Sequence, residues 1–236
     1  MFKDSSIYML KRFFILLLIA CSSFVCNAQT PIKFLGIPVD GSKTNMIAQL
    51  TAQGFRYDSL HDCLEGLFNG KESNIMIHEN NGVVDRVMVW YPVPTSMAKS
   101  AFNSLLRQFR TSDKYVSEDA NPIPDTENAP YELHNGKMYS AVFFPDPFVE
   151  DGDKELQDYI ANTTAKQVIE IVRAGELENP TEDRVEALSN IISTRLIIDN
   201  ATSAVWFRLV ASPSEADCLM YIYYDNLLNQ TQQNDL

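Results

Sequence analysis

Apolar residues recur along the chain with two periods, every second residue in some stretches and every third or fourth in others. Between Phe34 and Tyr91 that pattern predicts a lead-in, one helix and a three-stranded antiparallel meander. Ser42 can cap a helix whose Met46, Ile47 and Leu50 share a face, and Gly54 sits where a left-handed stop is wanted. A helix over 42–53 follows. Asn69-Gly70 and Asn81-Gly82 then separate strands Cys63–Phe68, Glu72–His78 and Val83–Tyr91, because a type I′ turn needs positive φ at both central residues. The first turn sets Leu64 opposite Ile75. The second leaves two registers open: a two-residue loop puts Val84, Met88 and Trp90 on the face of Ile75 and Ile77, and a three-residue loop puts Val83, Val87 and Val89 there.

After Pro92-Val93-Pro94, Thr95 or Ser96 caps a second helix whose stripe runs Met97, Ala101, Phe102, Leu105, Leu106 and Phe109. The segment Asn121–Pro130 reads as loop and divides the chain into halves. Asn135-Gly136 predicts a hairpin joining a short strand, Tyr131–His134, to Lys137–Phe144. Leu156, Ile160, Val168 and Val172 mark a helical region that Asn162-Thr163-Thr164 can break. Pro180-Thr181-Glu182-Asp183 opens a further helix, and strands Ala204–Val210 and Cys218–Tyr224 follow. Hairpin-linked strands exclude a doubly wound parallel sheet. The predicted class is α+β: an antiparallel sheet with helices packed mainly on one face. The two halves, 29–120 and 131–228, share a loose plan, which leaves an internal duplication open; 229–236 reads as a polar, frayed tail.

Residues 1–28 read as a signal peptide. Lys3, Lys11 and Arg12 precede the apolar run from Phe13, and Cys26-Asn27-Ala28 offers small residues for cleavage before Gln29. A second reading is open: Leu18-Ile19-Ala20-Cys21 fits a lipoprotein signal, with Cys21 lipidated. The protein is thus expected to be exported, periplasmic or secreted, with an outer-membrane lipoprotein as the alternative and no transmembrane span after cleavage. Of four cysteines in the chain, Cys63 and Cys218 survive that cleavage. An oxidising compartment makes them a disulfide candidate, against two separate buried thiols. With 31 acidic against 19 basic residues and a net charge of −12, nucleic acid is excluded as a partner, since phosphate binding needs clustered Lys and Arg.

Catalytic patterns are missing from the sequence. His61, His78 and His134 have no metal-ligand spacing, there is no paired Cys-x-x-Cys, and no metal or cofactor is predicted. Gly41-Ser42-Lys43-Thr44 lacks the glycine arc of a phosphate loop. His61 near Cys63 could form a base and nucleophile only where the thiol is activated. Glu150–Asp153 reads as a solvated helix N-terminus rather than a calcium loop. The last hairpin is rich in aromatic residues, and Trp206, Tyr221 and Tyr223 are the candidate binding residues if one face stays uncovered.

Two segments carry a resemblance. Phe34-Leu35-Gly36-Ile37-Pro38-Val39-Asp40-Gly41, with Gly54-Phe55 and Gly66–Gly70, and the ending Val205–Phe207 through Tyr223-Tyr224-Asp225-Asn226, are similar to a family of uncharacterised exported proteins of Gram-negative gut anaerobes. That resemblance implies export and supplies no site residues. In element order, a helix followed by a meander also resembles β-lactamase-inhibitor-protein-like and small outer-membrane assembly lipoprotein (SmpA/OmlA-like) domains, which act by protein binding. The expected function is therefore a non-enzymatic binding module of the cell envelope with an unknown protein or ligand partner. An enzyme or small-molecule carrier built from dispersed residues is the alternative.

Overall fold

A computed structural model describes residues 31–149, 152–214 and 216–230. The expected signal peptide and Cys21, the acidic pair Glu150-Asp151 and residues 231–236 lie outside the described residues. The class is α+β, as the hairpin spacing predicted.

A small hairpin, β1 (Lys33–Phe34) and β2 (Ile37–Pro38), precedes α1 (Lys43–Ala52). Ser42 caps α1, its hydroxyl accepting from the Asn45 amide. Strands β3 (Arg56–Asp58), β4 (Cys63–Phe68), β5 (Lys71–Asn80) and β6 (Val83–Pro94) then form one meander. A 3-10 turn leads into α2 (Ala98–Arg110), followed by β7 (Tyr115–Val116), α3 (Ala129–His134) and β8 (Tyr139–Pro145). The helical pair α4 (Lys154–Ala174) and α5 (Glu182–Asp199) precedes β9 (Ser203–Ala211), β10 (Asp217–Asn226) and a short α6 (Leu227–Gln230). The eight longer-range strands make one antiparallel sheet in the order β3-β4-β5-β6-β10-β9-β8-β7. The sheet thus joins two sets of four antiparallel strands, β3–β6 and β7–β10, whose last strands, β6 and β10, meet at the centre.

One face of this sheet holds the core. Val205, Phe207 and Leu209 of β9, Met220 and Ile222 of β10, and Val87 and Val89 of β6 are all buried. Helix α2 seats Phe102, Leu105 and Leu106 on them, and Phe102 meets Phe207 edge-on at 5.2 Å. The lead-in closes the same side: Phe34 stacks on Phe68 at 5.6 Å and meets Tyr224 at 5.0 Å. Phe55 presses on the backbone of β4 so closely that a Cβ at Gly66 would fall 2.6 Å from its Cδ1. Only glycine fits there. Helices α4 and α5 pack chiefly on each other and touch the sheet at its β7 margin, where Arg195 pairs with Glu118.

Four expectations change. Tyr131–His134 is helical, not a strand: Asn128 caps α3 and Pro130 stands in its first turn. Asn135-Gly136 is the stop of that helix, because Asn135 keeps φ at −83° and only Gly136 is left-handed; the Lys137 amide donates back to the Glu132 carbonyl. Asn162-Thr163-Thr164 does not interrupt α4. Ile160, Thr164 and Val168 fall on one buried stripe, and packing outweighs a propensity deficit of a few tenths of a kcal/mol per residue. The tail is pinned at its start: Asn229 Nδ2 donates to the Val84 carbonyl at 2.8 Å and to Asp40 Oδ1 at 3.0 Å.

The second hairpin combines both open registers. The loop is Asn81-Gly82, with Asn80 opposite Val83, as a two-residue turn requires. A bulge at Asp85 then shifts the ladder by one, so that Ile77 faces Val87 and Ile75 faces Val89. A bulge rotates the chain without changing the turn, which is why loop length alone gave the wrong side chains.

The Thr164 hydroxyl is buried without a hydrogen-bond partner. Thr164→Val keeps the shape and removes the orphaned group, and is expected to raise the unfolding free energy by about 1 kcal/mol. Differential scanning calorimetry checks this. A lowered midpoint would mean that the hydroxyl is bonded in the native protein.

Candidate functional site

Among the described residues no helix lies over the centre of the face opposite the core. Alternation along each strand decides what stands there. From β9 it receives Trp206 and Arg208, from β10 Tyr221 and Tyr223, and from β6 Arg86, Met88 and Trp90. Cross-strand pairing sets these in rows: Trp206 opposite Tyr223, Tyr223 opposite Met88, and Met88 opposite Met76. The next row runs Arg208, Tyr221, Trp90. The chain has two tryptophans, and both stand here.

The side chains interleave as a ladder. Trp206 and Tyr223 stack face to face at 3.8 Å with planes 8° apart. The guanidinium groups of Arg86 and Arg208 each lie 5.4 Å from the Tyr223 ring. Arg208 also reaches the Tyr221 ring at 5.3 Å. Each such contact contributes about 0.5–2 kcal/mol, more as water is excluded. Arg86 is fixed further by Asp225: Nε and Nη2 donate to the two carboxylate oxygens at 2.6 and 2.8 Å, and Trp206 Nε1 donates to Oδ2 at 2.9 Å. That pairing raises the Arg86 pKa above its ordinary value. Burial pushes the Tyr223 phenol up, while the Arg208 charge beside it pulls the other way.

The three candidate residues are thus brought together, with unequal roles. Trp206 and Tyr221 are half-buried and offer surface. Tyr223 is 3% exposed and lies against the Trp206 ring and both guanidinium groups. Arg86, Arg208, Asp225, Met88 and Trp90 belong to the same patch and were not singled out by sequence reasoning. The signal was present in β9, where Trp206 and Arg208 alternate with Val205, Phe207 and Leu209. The pairing of β6 with β10 was not readable, since Arg86 and Asp225 lie 139 residues apart.

Beside the ladder is a depression of about 390 Å³ lined by Met76, His78, Asp85, Arg86, Met88 and Tyr223, among others. The bulge turns the buried Asp85 carboxylate onto His78, Oδ1 lying 2.6 Å from Nδ1, while the imidazole stays exposed. A buried carboxylate that orients an exposed imidazole is a unit of proton-transfer chemistry. Among the described residues, no group of three or more His, Cys, Asp or Glu could hold a metal ion.

The His61 and Cys63 pair does not form a reactive centre. His61 turns to Asp58, with Nδ1 2.7 Å from Oδ2. Cys63 is buried, and that burial, with Asp58 and Glu65 nearby, pushes its thiol pKa up, away from the thiolate. Of the two readings left open for Cys63 and Cys218, the structure has the separate thiols: both are free and buried. Strands β4 and β10 are separated by β5 and β6, three intervals of ~4.8 Å, whereas a disulfide spans less than ~7 Å between Cα atoms. Cys218 instead donates to the Val93 carbonyl at 3.3 Å, and burial raises its pKa to about 11.

His61 supplies a pH signature. Its hydrogen bond to Asp58 raises its pKa above the ordinary 6.5, and the same bond lowers that of Asp58 below 3.8. A raised histidine pKa favours the fold below the unfolded value and loses that contribution as pH rises through the folded one. The lowered Asp58 acts oppositely, losing its contribution as pH falls through its own folded pKa. The pair is therefore charged and intact between those two folded values. NMR titration is expected to place the His61 midpoint above 6.5, and Asp58→Asn to return it there; an unchanged midpoint in that variant would remove the pairing.

Among the described residues no helix is long and apolar enough to cross a membrane. The chain matches no protein-family model, no curated protein and no solved structure.

Proposed function

We propose that the protein is an exported, non-enzymatic binding module that meets its partner with the open face of the central sheet. The observation that carries this reading is the Arg–aromatic ladder at that face. Trp, Tyr and Arg are the residues that dominate binding energy at interfaces, because they combine large apolar area with hydrogen-bonding ends and few rotatable bonds. Here they are held rigid before any partner arrives, which lowers the ordering cost of association. Met76 and Met88 border them, and flexible thioethers adapt to a partner surface. The helix-plus-meander plan of α1 and β3–β6 adds support through its resemblance to domains that act by protein binding.

The test is capture from the native envelope with the purified chain and with Tyr221→Ala and Trp90→Ala, each checked for an unchanged thermal midpoint. The reading predicts that both variants lose the protein retained by the parent. Retention undiminished in both would refute it. Intact-mass analysis of the mature N-terminus accompanies the experiment: the account expects Gln29 as the first residue, and a lipid-modified Cys21 would make the module membrane-anchored.

The second reading, an enzyme or small-molecule carrier, rests on one observation, the His78–Asp85 pair in its depression. His78→Gln separates the two. It is expected to leave capture unchanged under the binding reading, and to abolish turnover of any substrate under the other.

A further inference from the structure

Two guanidinium groups stand within the aromatic ladder, and among the described residues only Arg86 has an anion. Arg86 is clasped by both oxygens of Asp225, with the Trp206 indole donating to the same carboxylate. Arg208 stands in the same aromatic setting, against Tyr221, Tyr223 and Trp206. No carboxylate pairs with it among the described residues, and its Nε is buried without a hydrogen-bond partner. The chain does not lack acids, with 31 against 19 basic residues. A half-buried guanidinium left without a carboxylate amid such a surplus calls for an explanation.

Resting on the open face as the binding surface, we propose that Arg208 is the anchor for one carboxylate, an Asp or Glu side chain of a partner polypeptide, flanked there by apolar residues. Asp225 on Arg86 shows how this ladder receives a carboxylate, in the plane of the guanidinium fork and beside ring edges. Arg208 is preorganised in the same way by Tyr221 and Tyr223. A phosphate group fits less well. It carries about two charges and calls for several donors, such as a helix N-terminus or a backbone nest, whereas Arg208 offers one fork on a chain of net charge −12. A small free carboxylate fits less well too, since tight small-ligand sites enclose most of the ligand. This face is open, and its neighbouring depression is shallow, so the second wall must come from the partner. Tyr221 beside the guanidinium, with Trp90 and Met88 beyond it on β6, offers half-buried apolar surface for the residues that flank the acid. Once these side chains meet, water is displaced from the fork and the charged hydrogen bonds strengthen.

The probe is a panel of end-blocked peptides with one central Glu among varied apolar residues, each paired with its Gln counterpart, presented to the purified chain. Binding is measured by fluorescence anisotropy for the parent, Arg208→Gln, Arg208→Lys and Tyr221→Ala. The expected result is a Glu-over-Gln preference of about tenfold or more in the parent, lost in Arg208→Gln. Arg208→Lys keeps the charge and most of the stem, so it guards against misfolding. It is expected to retain Tyr221-dependent binding while losing most of the preference, for want of the planar fork. Equal binding of Glu and Gln peptides by the parent, or a preference that survives in Arg208→Gln, overturns the carboxylate anchor. So does displacement of the peptide by inorganic phosphate and acetate alike, which marks a general anion site, and so does self-association abolished by Arg208→Gln. Peptide binding that needs Tyr221 but ignores the Glu removes the anchor and leaves the open-face reading standing. No binding by any peptide, or binding indifferent to both Arg208 and Tyr221, removes both.

Discussion

Phe207→Ala is expected to lower the unfolding free energy by about 3–5 kcal/mol, the largest effect of any single truncation in the core. Phe207 is fully buried and sits at the meeting point of four rings, with Phe102 at 5.2 Å, Phe109 at 5.7 Å and Phe143 at 6.0 Å. Those partners come from α2 and β8, both held by the sheet on other contacts, so the wall around the deleted ring cannot collapse freely. The loss then includes the transfer term of the ring and most of the cavity term. Set against a total stability of about 5–15 kcal/mol for a protein of this kind, it leaves the variant near its folding threshold at 37 °C. Urea denaturation checks the value, with the slope unchanged if the denatured state is unaltered. Leu60→Ala is the control: Leu60 is 84% exposed, and its loss is expected to stay within about 0.5 kcal/mol. Equal effects at the two positions would mean that the ring cluster is not the centre of the core.

Asp225→Ala is the second large effect, and it acts from the other face. The carboxylate is buried and accepts three hydrogen bonds, two from Arg86 and one from the Trp206 indole. Removing it strands a guanidinium beside two stacked aromatic rings and leaves an indole N–H unpaired. Breaking a buried pair from one side costs about 3–5 kcal/mol, and Arg86 reaches solvent, which places the expected loss near the lower end. The double variant Arg86→Met, Asp225→Ala is expected to be more stable than Asp225→Ala alone, because the uncompensated charge goes with its partner. Urea unfolding of the four members of this cycle gives the coupling. A single-variant loss below about 1 kcal/mol would mean that the pair is solvated and the ladder is loose.

The two central strands explain why much of the fold was legible and the site was not. Hairpins announce themselves locally. Asn69-Gly70 has φ of 50° and 73°, the left-handed pair that an I′ turn needs, and Leu64 lies opposite Ile75 as that turn dictates. The same dipeptide misled at Asn135-Gly136, where Asn128 and Pro130 had already started a helix. Propensity at one end of a segment does not fix its type; both ends have to agree. The patch at Trp206, Tyr221 and Tyr223 was readable because alternation along one hairpin must turn some rings away from the core. Its other members depend on β6 lying beside β10, and no local signal carries a pairing across so long a loop. The bulge at Asp85 was hidden for a different reason. It changes which side chains face the core without changing the composition of the strand, and it alone turns Asp85 onto His78. The choice between a Cys63–Cys218 bridge and two separate buried thiols turned on the same nonlocal information, since a spacing in sequence says nothing of the two strands that lie between.

The account stands on the aromatic ladder being open to water in the free protein. Both tryptophans of the chain belong to that face, so their emission reports on it without any label. Acrylamide quenching of the purified chain, compared with the urea-unfolded state, is the most direct measurement. An open face predicts that Trp90 and Trp206 are readily quenched in the folded protein, at an appreciable fraction of the unfolded rate. Emission that acrylamide scarcely reaches until urea unfolds the chain would mean that the face is covered, and the proposed binding surface would not exist.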